Sequence, residues 1–447
     1  MKSQINRRSF LKSTAAVGVT AGIAASPFQI FARGLPSKKV VVAIMGLRSR
    51  GHALAQNFAA QPDCEIACLV DVDDRYFEPA IEGMSQYQKK RPLLEKDIRK
   101  VVENKDIDAI VIAAPDHWHA PAAIMGCQAG KHVYVEKPCS HNPREGEWLV
   151  AASRKYNRLV QMGNQRRTWP NMQQCIREIH SGIIGRVYYS KGWYANNREP
   201  IGFGKKTAVP DYLNFDLWQG PAPRRPYQDN LHPYNWHWFW HWGTGESLNN
   251  GTHMLDLMRW GMQLDFPSRV VSTGGRYHYK DDWETPDTQV ISFDFEEGKS
   301  MTWEGRSCNG YQPENTGAGV IFYGEGGTVV VRGNDTYTVY DNSSQAKIIK
   351  DVKQDDAPDQ TTNTVGPGMR YDSPHIANFL SAIRDGKPLN SEIEGGFKST
   401  LLCQLGNIAQ RTGRVLNIDP RNGHIVGDPQ AMELWGRTYE PGWEITV

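Results

Sequence analysis

The sequence lacks the features that mark nucleic-acid-binding, zinc-containing or disulfide-stapled proteins. Its 51 Lys and Arg residues nearly balance 49 Asp and Glu residues, leaving a formal net charge of +2. The basic residues are scattered rather than clustered, so we expect no nucleic-acid partner. The seven cysteines are odd in number and form no Cys-x-x-Cys pair, which argues against a disulfide framework and a structural zinc site. We expect most of these cysteines to be buried as small apolar residues.

The beginning of the chain also lacks an apolar run long enough to span a membrane. Residues 6–12 read NRRSFLK, a paired-arginine motif, and an Ala/Gly-rich stretch from Ala15 to Ala25 follows. That stretch is too short and too weakly apolar to span a membrane. The pattern resembles a twin-arginine export signal, a route that carries folded proteins. We therefore expect residues 1–37 to be a leader, the protein to be periplasmic, and no stable membrane insertion.

Apolar runs alternate with helical stretches between residues 38 and 167. A β-branched run at 39–45 precedes a glycine turn, GLRSRG, that begins at Gly46 and ends at Gly51; the next strand ends at Asp71. Strand, glycine turn, helix, strand and acid form most of a dinucleotide-binding fingerprint. The alternation predicts an α/β fold whose N-terminal half, residues 38–167, is a doubly wound parallel sheet of the Rossmann type.

Two residues of this motif bear on which dinucleotide would bind. Asp71 can accept a hydrogen bond from a ribose 2′-hydroxyl and would repel a 2′-phosphate, which favours NAD over NADP. Arg48 stands where the fingerprint has its middle glycine. An arginine there must direct its side chain outward or supply a cation to a phosphate. A non-binding α/β turn is the alternative interpretation.

Polar residues follow three further predicted strands. Pro115-Asp116-His117-Trp118-His119 follows the strand at 108–114, Glu136-Lys137-Pro138 follows 132–135, and Gln165 and Arg166 come after 159–162. In an open α/β sheet the ligand lies outside the carboxyl ends of the strands. A lysine delivered there beside a carboxylate can carry a proton. An ordinary surface lysine in a strand–turn–helix connection is the alternative.

The glycine turn, the Ala-Pro-Asp-x-x-His strand end and the Glu-Lys-Pro triplet together resemble the Gfo/Idh/MocA oxidoreductase family, over nearly the whole chain after the leader. The resemblance implies an NAD cofactor and a second domain that covers the crevice and often builds oligomers, so we expect a homo-oligomer. The residues that it places at the cofactor are Gly46, Arg48, Gly51, Asp71, Pro115, His119, Glu136, Lys137 and Gln165.

The pattern changes after about residue 185. Short alternating strands separated by Gly, Pro and Asp turns predict a C-terminal α/β domain at 168–416 with a largely antiparallel open sheet. We predict helices at 75–90, 93–104, 373–384 and 394–411, a polar loop at 351–368, and a tail at 417–447 that wraps the surface.

A second motif lies between Gly243 and Trp260. Asn249 and His253 are four residues apart, so on a helix they would share one face. The segment resembles the family's, in which an acidic residue precedes a histidine by four. Asn249 replaces the acid and cannot act as a base, so we expect it to hydrogen-bond a hydroxyl. By resemblance, Lys137 and His253 hold the reacting hydroxyl and share the proton transfer; a core histidine is the alternative.

The segment 234–242, YNWHWFWHW, is rich in aromatic rings. If it is extended, its four tryptophans share one face and its two histidines the other. We expect some tryptophans to pack in the core and one or two to line a sugar pocket. The residues predicted to contact substrate are Arg166, Trp236, His237, Asn249 and His253. A metal site built from His237, His241 and His253 has no supporting ligand spacing, so we expect no metal.

These observations predict an exported NAD-dependent oxidoreductase acting on a sugar or glycoside hydroxyl. Because no free NAD pool is expected outside the cytoplasm, the cofactor would stay bound and recycle in place. One alternative is redox-assisted glycoside cleavage, with His237 or a nearby tyrosine as a second base. Another is a non-catalytic glycan- or nucleotide-binding module, which Arg48 and Asn249 keep open.

Overall fold

A computed structural model describes residues 39–353 and 368–447, with side chains from residue 371 in the second range. The predicted leader and most of the predicted loop at 351–368 lie outside the described residues. All seven cysteines are buried and unpaired, which confirms the interpretation of these residues as core components. No described helix combines the length and apolar character needed to cross a bilayer.

The first sheet has six parallel strands, as the sequence predicted. Its strands are β1 (Val40–Met45), β2 (Cys64–Val70), β3 (Leu93–Glu95), β4 (Ala109–Ile112), β5 (His132–Val135) and β6 (Val160–Met162). The helices among them are α1 (Arg50–Ala59), α2 (Phe77–Met84), α3 (Ile98–Val102), α4 (Asp116–Gln128) and α5 (Pro143–Lys155). The strand order β3-β2-β1-β4-β5-β6 reverses between β1 and β4, and ligands bind at such a switch point.

The second sheet has nine strands, all antiparallel to their neighbours except β7 and β10. These are β7 (Val187–Ala195), β8 (Arg269–Gly275), β9 (Thr288–Phe295), β10 (Lys299–Arg306), β11 (Ala318–Gly324), β12 (Gly327–Arg332), β13 (Tyr337–Asp341), β14 (Ile348–Val352) and β15 (Leu416–Asn417). The accompanying helices are α6 (Pro170–His180), α7 (Phe215–Gln219), α8 (Thr252–Met262), α9 (Gly368–Asp385), α10 (Ile393–Thr412) and α11 (Pro429–Met432). This confirms the predicted largely antiparallel sheet.

The helices predicted at 75–90 and 93–104 are wrong in extent. Helix α2 covers only Phe77–Met84, and Leu93–Glu95 pairs as an edge strand with β2 before α3 begins at Ile98. Asp97 ends the extended segment because its side chain accepts from the Arg99 amide as the N-cap of α3.

Helix α9 returns to the first sheet although it lies far along the chain. Its apolar residues Ile376, Phe379 and Leu380 are buried in one cluster with Leu54 and Phe58 of α1. The side of the parallel sheet carrying α1 is therefore covered partly by residues distant in sequence. This packing also brings Asp372 to the N-terminus of α1, where it contributes to the site.

Candidate functional site

A cleft of about 1440 Å³ of empty space, including its open mouth, lies at the carboxyl ends of the parallel strands. Its walls come from the turns after β1, β2, β4 and β5, from Gln165, and from the second domain. The predicted site residues that line it are Gly46, Arg48, Asp71, Pro115, His119, Glu136, Lys137, Gln165, Trp236, His237, Asn249 and His253. Two predicted site residues, Gly51 and Arg166, lie behind this lining.

The glycine turn after β1 has the geometry that its sequence predicted. Gly46 has a φ of 83°, and a Cβ there would lie 2.6 Å from the Ala113 carbonyl oxygen. A Cβ at Gly51 would lie 1.7 Å from the Gly46 carbonyl oxygen. Helix α1 then begins without a side-chain cap, because Ser49 makes no capping hydrogen bond. Uncapped amides at a helix N-terminus are suited to a phosphate.

Arg48 crosses the cleft from the glycine turn. Its guanidinium lies over the ring of Tyr234, 5.5 Å from the ring centroid. Of the two orientations open from the sequence, the side chain is therefore directed away from the turn, toward the second domain. It leaves the glycine turn free and places a cation at the cleft wall.

Asp71 ends β2 at the edge of the cleft. One of its carboxylate oxygens accepts from the Leu47 amide at 2.7 Å, and the other accepts from the Asp73 amide at 2.9 Å. Burial raises the pKa of the Asp71 carboxyl to about 6, although these amide bonds oppose the shift. Each oxygen keeps a lone pair for a ribose hydroxyl.

Lys137 projects from the end of β5 toward the second domain. Its Nζ donates to the Asn249 backbone oxygen at 2.5 Å and to the Asn249 side-chain oxygen at 3.3 Å. Burial lowers the pKa of Lys137, while the carboxylates of Glu136, Asp116 and Glu246 oppose that change. A lowered pKa brings a lysine closer to service as a base near neutral pH.

His253 lies in the first turn of α8 on the other wall of the cleft. Its ring is 7% exposed, and its Nδ1 is buried without a hydrogen-bond partner among the described residues. Burial, reinforced by the nearby cations Arg166, Lys137 and Arg50, holds the pKa of His253 well below its usual value. The imidazole is therefore neutral, and one ring nitrogen can accept a hydrogen bond.

Asn249 and His253 do not belong to one regular α-helix. Residues Ser247–Gly251 form a π-helical turn, and α8 begins only at Thr252. The wider turn still brings both side chains to the cleft. Such π turns occur frequently at functional sites.

Glu136 lines the cleft and joins an ionic network in which its own side chain is 6% exposed and that of Arg50 is 28% exposed. Its carboxylate accepts from Arg50 Nε at 2.7 Å and from Gln165 Nε2 at 3.1 Å. Arg50 also forms a two-point pair with Asp372 of α9, with distances of 2.5 and 2.8 Å. This network braces the start of α1, the end of β5 and α9 against one another. It fixes the backbone that carries Lys137.

His119 and Asp116 support the turns after β4. The two ring nitrogens of His119 lie 2.6 Å from the Pro138 oxygen and 2.7 Å from the Ala114 oxygen. His119 therefore lies between the ends of β4 and β5, where each tautomer of the neutral ring donates to one of these two carbonyl oxygens. Asp116 is buried and accepts from Thr244 Oγ1, and burial raises the pKa of its carboxyl.

The segment 234–242 is not extended throughout, so the condition for its four tryptophans to share one face is not met. Residues Asn235–Trp238 form a 3₁₀ turn, so Trp236 and His237 stack on each other with centroids 3.6 Å apart. Trp238 instead stacks on Trp283 in the core at 4.0 Å. The turn forms because backbone groups pair locally, and His237 Nδ1 lies 2.6 Å from the Tyr234 oxygen. As expected, some tryptophans pack and Trp236 lines the cleft.

Arg166, a predicted substrate contact, and His241, a member of the metal site considered and set aside, both lie apart from His237 and His253. Arg166 is buried, donates to the Gly333 oxygen at 3.3 Å and lies over the Trp169 ring. It acts on the cleft through its charge, which lowers the pKa of His253. His241 lies near the Pro223 oxygen instead of joining His237 and His253. No metal-binding group of three His, Cys, Asp or Glu residues occurs in the described ranges.

Four polar residues in or beside the cleft were assigned no role in the sequence analysis. They are Arg50, Asp116, Arg198 and Glu246. Arg198 Nε donates to Glu246 at 2.7 Å, and Glu246 accepts from the side chains of Asn249 and Asn250. The position of Arg50 inside the glycine turn was the one available signal. The other three depend on contacts between distant segments.

The cleft fits a dinucleotide. The cradle at Gly46 would be filled by any Cβ, the amides of α1 have no side-chain cap, and Asp71 offers acceptors for a ribose. The unpartnered His253 nitrogen lies at the other end, beside Lys137. A binding region for phosphates and ribose thus continues into a region with two nitrogen bases.

Comparison with known proteins agrees with this geometry. Residues 40–164 match the model of the oxidoreductase family's NAD-binding Rossmann fold, and residues 212–418 match that family's C-terminal alpha/beta domain. Residues 4–24 match a twin-arginine translocation signal, which indicates export by that route. The two family domains together cover well over half of the chain.

Curated relatives match only part of their own length. A glycosyl hydrolase family 109 protein from Saccharopolyspora erythraea is 28% identical over 254 residues, 50% of this chain and 55% of that protein. An alpha-N-acetylgalactosaminidase from Shewanella oneidensis is 24% identical over 210 residues, 42% of this chain and 46% of that protein. The chain thus spans about half the length of these relatives.

Solved structures share the fold over most of the chain. A levoglucosan dehydrogenase in complex with NADH and levoglucosan superposes with a TM-score of 0.66 at 17% identity, covering 85% of this chain and 99% of that one. An aldose-aldose oxidoreductase from Caulobacter crescentus gives 0.63 at 17% identity, covering 85% and 100%. With its NAD-binding Rossmann domain and its C-terminal alpha/beta domain, the chain belongs to the Gfo/Idh/MocA oxidoreductase family.

Proposed function

We propose that this protein is an exported NAD-dependent oxidoreductase that transfers hydride between a sugar or glycoside hydroxyl carbon and the nicotinamide. The observation that carries the proposal is the cleft itself, in which Lys137 and His253 share one space with the glycine turn and Asp71. The dehydrogenases of similar fold, including the one crystallised with NADH and levoglucosan, support the choice of substrate class.

The nucleotide would be held by residues of the first domain. The turn from Gly46 to Gly51 and the N-terminus of α1 would take the pyrophosphate, and Asp71 would take a ribose. When bound, the nicotinamide supplies the hydride acceptor or donor, and the protein supplies position and proton transfer.

The proton chemistry would belong to Lys137. As a neutral amine, its two N–H groups can donate to the two Asn249 oxygens, and its lone pair remains for the hydroxyl proton. Burial lowers the pKa of Lys137 and favours this neutral state. The neutral His253 imidazole would hold the same hydroxyl by a hydrogen bond, so that the amine and the imidazole fix one alcohol group.

The substrate side of the cleft favours a ring with many hydroxyl groups. Trp236 and His237 offer a stacked pair of rings, and Asn249 and Asn250 offer amides. Aromatic faces beside polar groups suit an amphipathic sugar ring. Arg166 would act here through its charge rather than by contact.

We propose that the protein works in the periplasm with its nucleotide retained. The twin-arginine match supports export of a folded protein. Trp218, His232 and Tyr234 of the second domain wall the cleft opposite the glycine turn, which supports slow release. Denaturing the purified protein should release a nicotinamide nucleotide at close to one per chain; none in the supernatant would contradict retention.

We also propose boundaries for the domains and an assembly of several copies of the chain. We assign residues 38–167 to nucleotide binding, 168–416 to substrate binding and assembly, and 417–447 to a wrapping tail. The open second sheet supports a homo-oligomer. Native mass spectrometry should show a dimer or tetramer, and a monomer at micromolar concentration would contradict that assembly.

A second candidate function is redox-assisted glycoside cleavage. His237 Nδ1 lies 2.6 Å from the Tyr234 oxygen, so Nδ1 donates there and Nε2 is left as an acceptor. Burial lowers the pKa of His237 to about 3, which keeps the ring neutral. After one ring carbon is oxidised, its neighbouring C–H becomes acidic. His237 could remove that proton while the aglycone leaves with the electron pair of its bond. Addition of water across the resulting double bond, and reduction of the ketone by the reduced nucleotide, would then complete the cleavage without net reduction. The similarity to glycosyl hydrolase family 109 proteins supports this second candidate function.

Product analysis separates the candidates. The holo-protein is incubated with a panel of glycosides, and the products are identified by mass spectrometry. A keto-sugar formed in proportion to reduced nucleotide supports the dehydrogenase. A released aglycone without net reduction supports cleavage, and no product from any glycoside would favour a non-catalytic binding module.

A further inference from the structure

The amide of Asn249 is held in one orientation. Its nitrogen donates to Glu246 Oε1 at 3.2 Å, and its oxygen accepts from Lys137 Nζ at 3.3 Å. The two ends of an amide have nearly the same shape, so its hydrogen-bond partners decide which end faces the lysine. A carboxylate only accepts, so Glu246 attracts the nitrogen and turns the oxygen toward Lys137.

Glu246 is itself fixed by several donors. Its side chain is buried, and Oε2 accepts from Arg198 Nε at 2.7 Å and from Ser307 Oγ at 3.1 Å. Oε1 accepts from the Asn250 amide as well as from Asn249. With both oxygens occupied, the carboxylate cannot rotate away from Asn249.

Arg198 is held from two further sides. Its Nη1 donates to the Tyr234 hydroxyl at 3.1 Å, and its guanidinium lies 4.8 Å from the Trp238 ring centroid. Tyr234 in turn carries the Arg48 cation over its ring. Successive contacts therefore connect Arg48 to Lys137 along the cleft wall. The residues between them are Tyr234, Arg198, Glu246 and Asn249.

We infer that Glu246 is a positioning residue that aims Lys137 through the Asn249 amide, with Arg198 holding the carboxylate. The inference deepens the proposed dehydrogenase function and rests on it for its catalytic consequence. Glu246 occupies a different place from the acid that Asn249 replaces, three residues earlier in the chain. It keeps a carboxylate near the amine without letting it contact the amine directly.

Two effects follow, and they are separable. The Asn249 amide sets where the Lys137 lone pair points, and the Glu246 charge stabilises the ammonium form. The other charged or titratable groups that act on Lys137 are the carboxylates of Glu136 and Asp116, the guanidinium of Arg50 and the neutral imidazoles of His237 and His253. Removing the Glu246 charge lowers the pKa of Lys137.

Trace acetylation measures this coupling without a substrate. Full-length protein is treated with a small amount of acetic anhydride across a pH series, and the Lys137 peptide is quantified by mass spectrometry. In Glu246→Gln the midpoint of Lys137 labelling should move to lower pH. In Glu325→Gln, which removes an exposed carboxylate paired with Arg186 outside the cleft, it should stay in place. An unchanged midpoint in a folded Glu246→Gln protein would overturn the inference, whatever reaction the protein catalyses.

A second variant covers the case in which Glu246→Gln does not fold. Glu246→Asp keeps the charge but withdraws it by one methylene from Asn249. Turnover of the glycoside found active in the product assay should fall roughly tenfold or more, with KM nearly unchanged, because the base is misdirected. The acid limb of kcat/KM should stay in place. Full turnover in Glu246→Asp would overturn the positioning role.

Discussion

Lys137 and Asn249 meet at two points, since the amine donates to both the backbone oxygen and the side-chain oxygen of the asparagine. They are separated by 112 residues and lie on different domains. The contact closes the cleft around the amine and leaves one direction open for a hydroxyl. The contact also gives Asn249 a defined part in the site, although an amide side chain cannot transfer a proton.

Asn249→Asp tests the electrostatics of this contact. A carboxylate at the position of the amide stabilises the Lys137 ammonium and raises the pKa of the amine. Under the proposed function the neutral amine is the active form, so the acid limb of kcat/KM for alcohol oxidation should move to higher pH. Asn309→Asp, on an exposed loop, is the matched control and should leave the profile unchanged. An unmoved limb in Asn249→Asp would mean that another group titrates.

Gly46→Ala tests the nucleotide cradle. Both Gly46 and Gly182 have positive φ values, 83° and 87°, but a Cβ at Gly182 would meet nothing within 4 Å. Gly182→Ala should cost about 1–2 kcal/mol of backbone strain and leave nucleotide binding intact. Gly46→Ala adds a clash with the Ala113 oxygen, so it should lower Tm further and abolish NAD binding. Calorimetry of both variants measures their Tm and their NAD binding. Equal Tm and equal NAD affinity in the two variants would contradict the role of Gly46 in holding the nucleotide.

Asp71 predicts a pH dependence of nucleotide affinity. The pKa of its carboxyl is raised to about 6, so the carboxylate is present at pH 7 and is lost as the pH falls below 6. A protonated carboxyl accepts less strongly, and Kd for NAD should therefore rise on acidification. Asp71→Asn should weaken NAD about tenfold to a hundredfold, the effect of a hydrogen bond to a charged group. Its Kd should no longer depend on pH in this range.

Arg50→Lys tests the buried network beneath the lysine. A lysine cannot replace the two-point contact with Asp372 together with the bond to Glu136. Because lysine keeps the charge and loses part of these hydrogen bonds, the free energy of unfolding should fall by about 1–3 kcal/mol. Arg91→Lys is the control because its pair with Glu78 is exposed, and it should leave the free energy of unfolding nearly unchanged. Equal losses in urea denaturation would contradict the network's role.

The sequence predicted those parts of the site that depend on neighbours in the chain. Apolar runs ending in Gly46, Asp71 and Lys137 are local patterns, and the parallel sheet then brings those ends to one edge. The twin-arginine motif and the two-domain order were predictable for the same reason. The sugar specificity, the assembly and the domain boundaries stay predictions.

Contacts between segments that are far apart in the chain could not be predicted from local sequence patterns. Arg50 pairs with Asp372, 322 residues away, and no periodicity connects the two. The conformation of the segment 234–242 was left open because its alternating tryptophans are compatible with a strand, whereas local backbone bonds fold Asn235–Trp238 into a 3₁₀ turn. Glu246 was overlooked because the role inferred for it, which is to orient the Asn249 amide, depends on the folded structure.

The most direct test of the account is deuterium transfer in Lys137→Met. The holo-protein is supplied with a glycoside deuterated at its carbinol carbons, and the nucleotide is then recovered and weighed by mass spectrometry. The wild-type protein should place deuterium on the nicotinamide. Lys137→Met should still bind NAD and should lose at least about a hundredfold in the rate of that transfer. Transfer at the wild-type rate in Lys137→Met would contradict the central role of this amine.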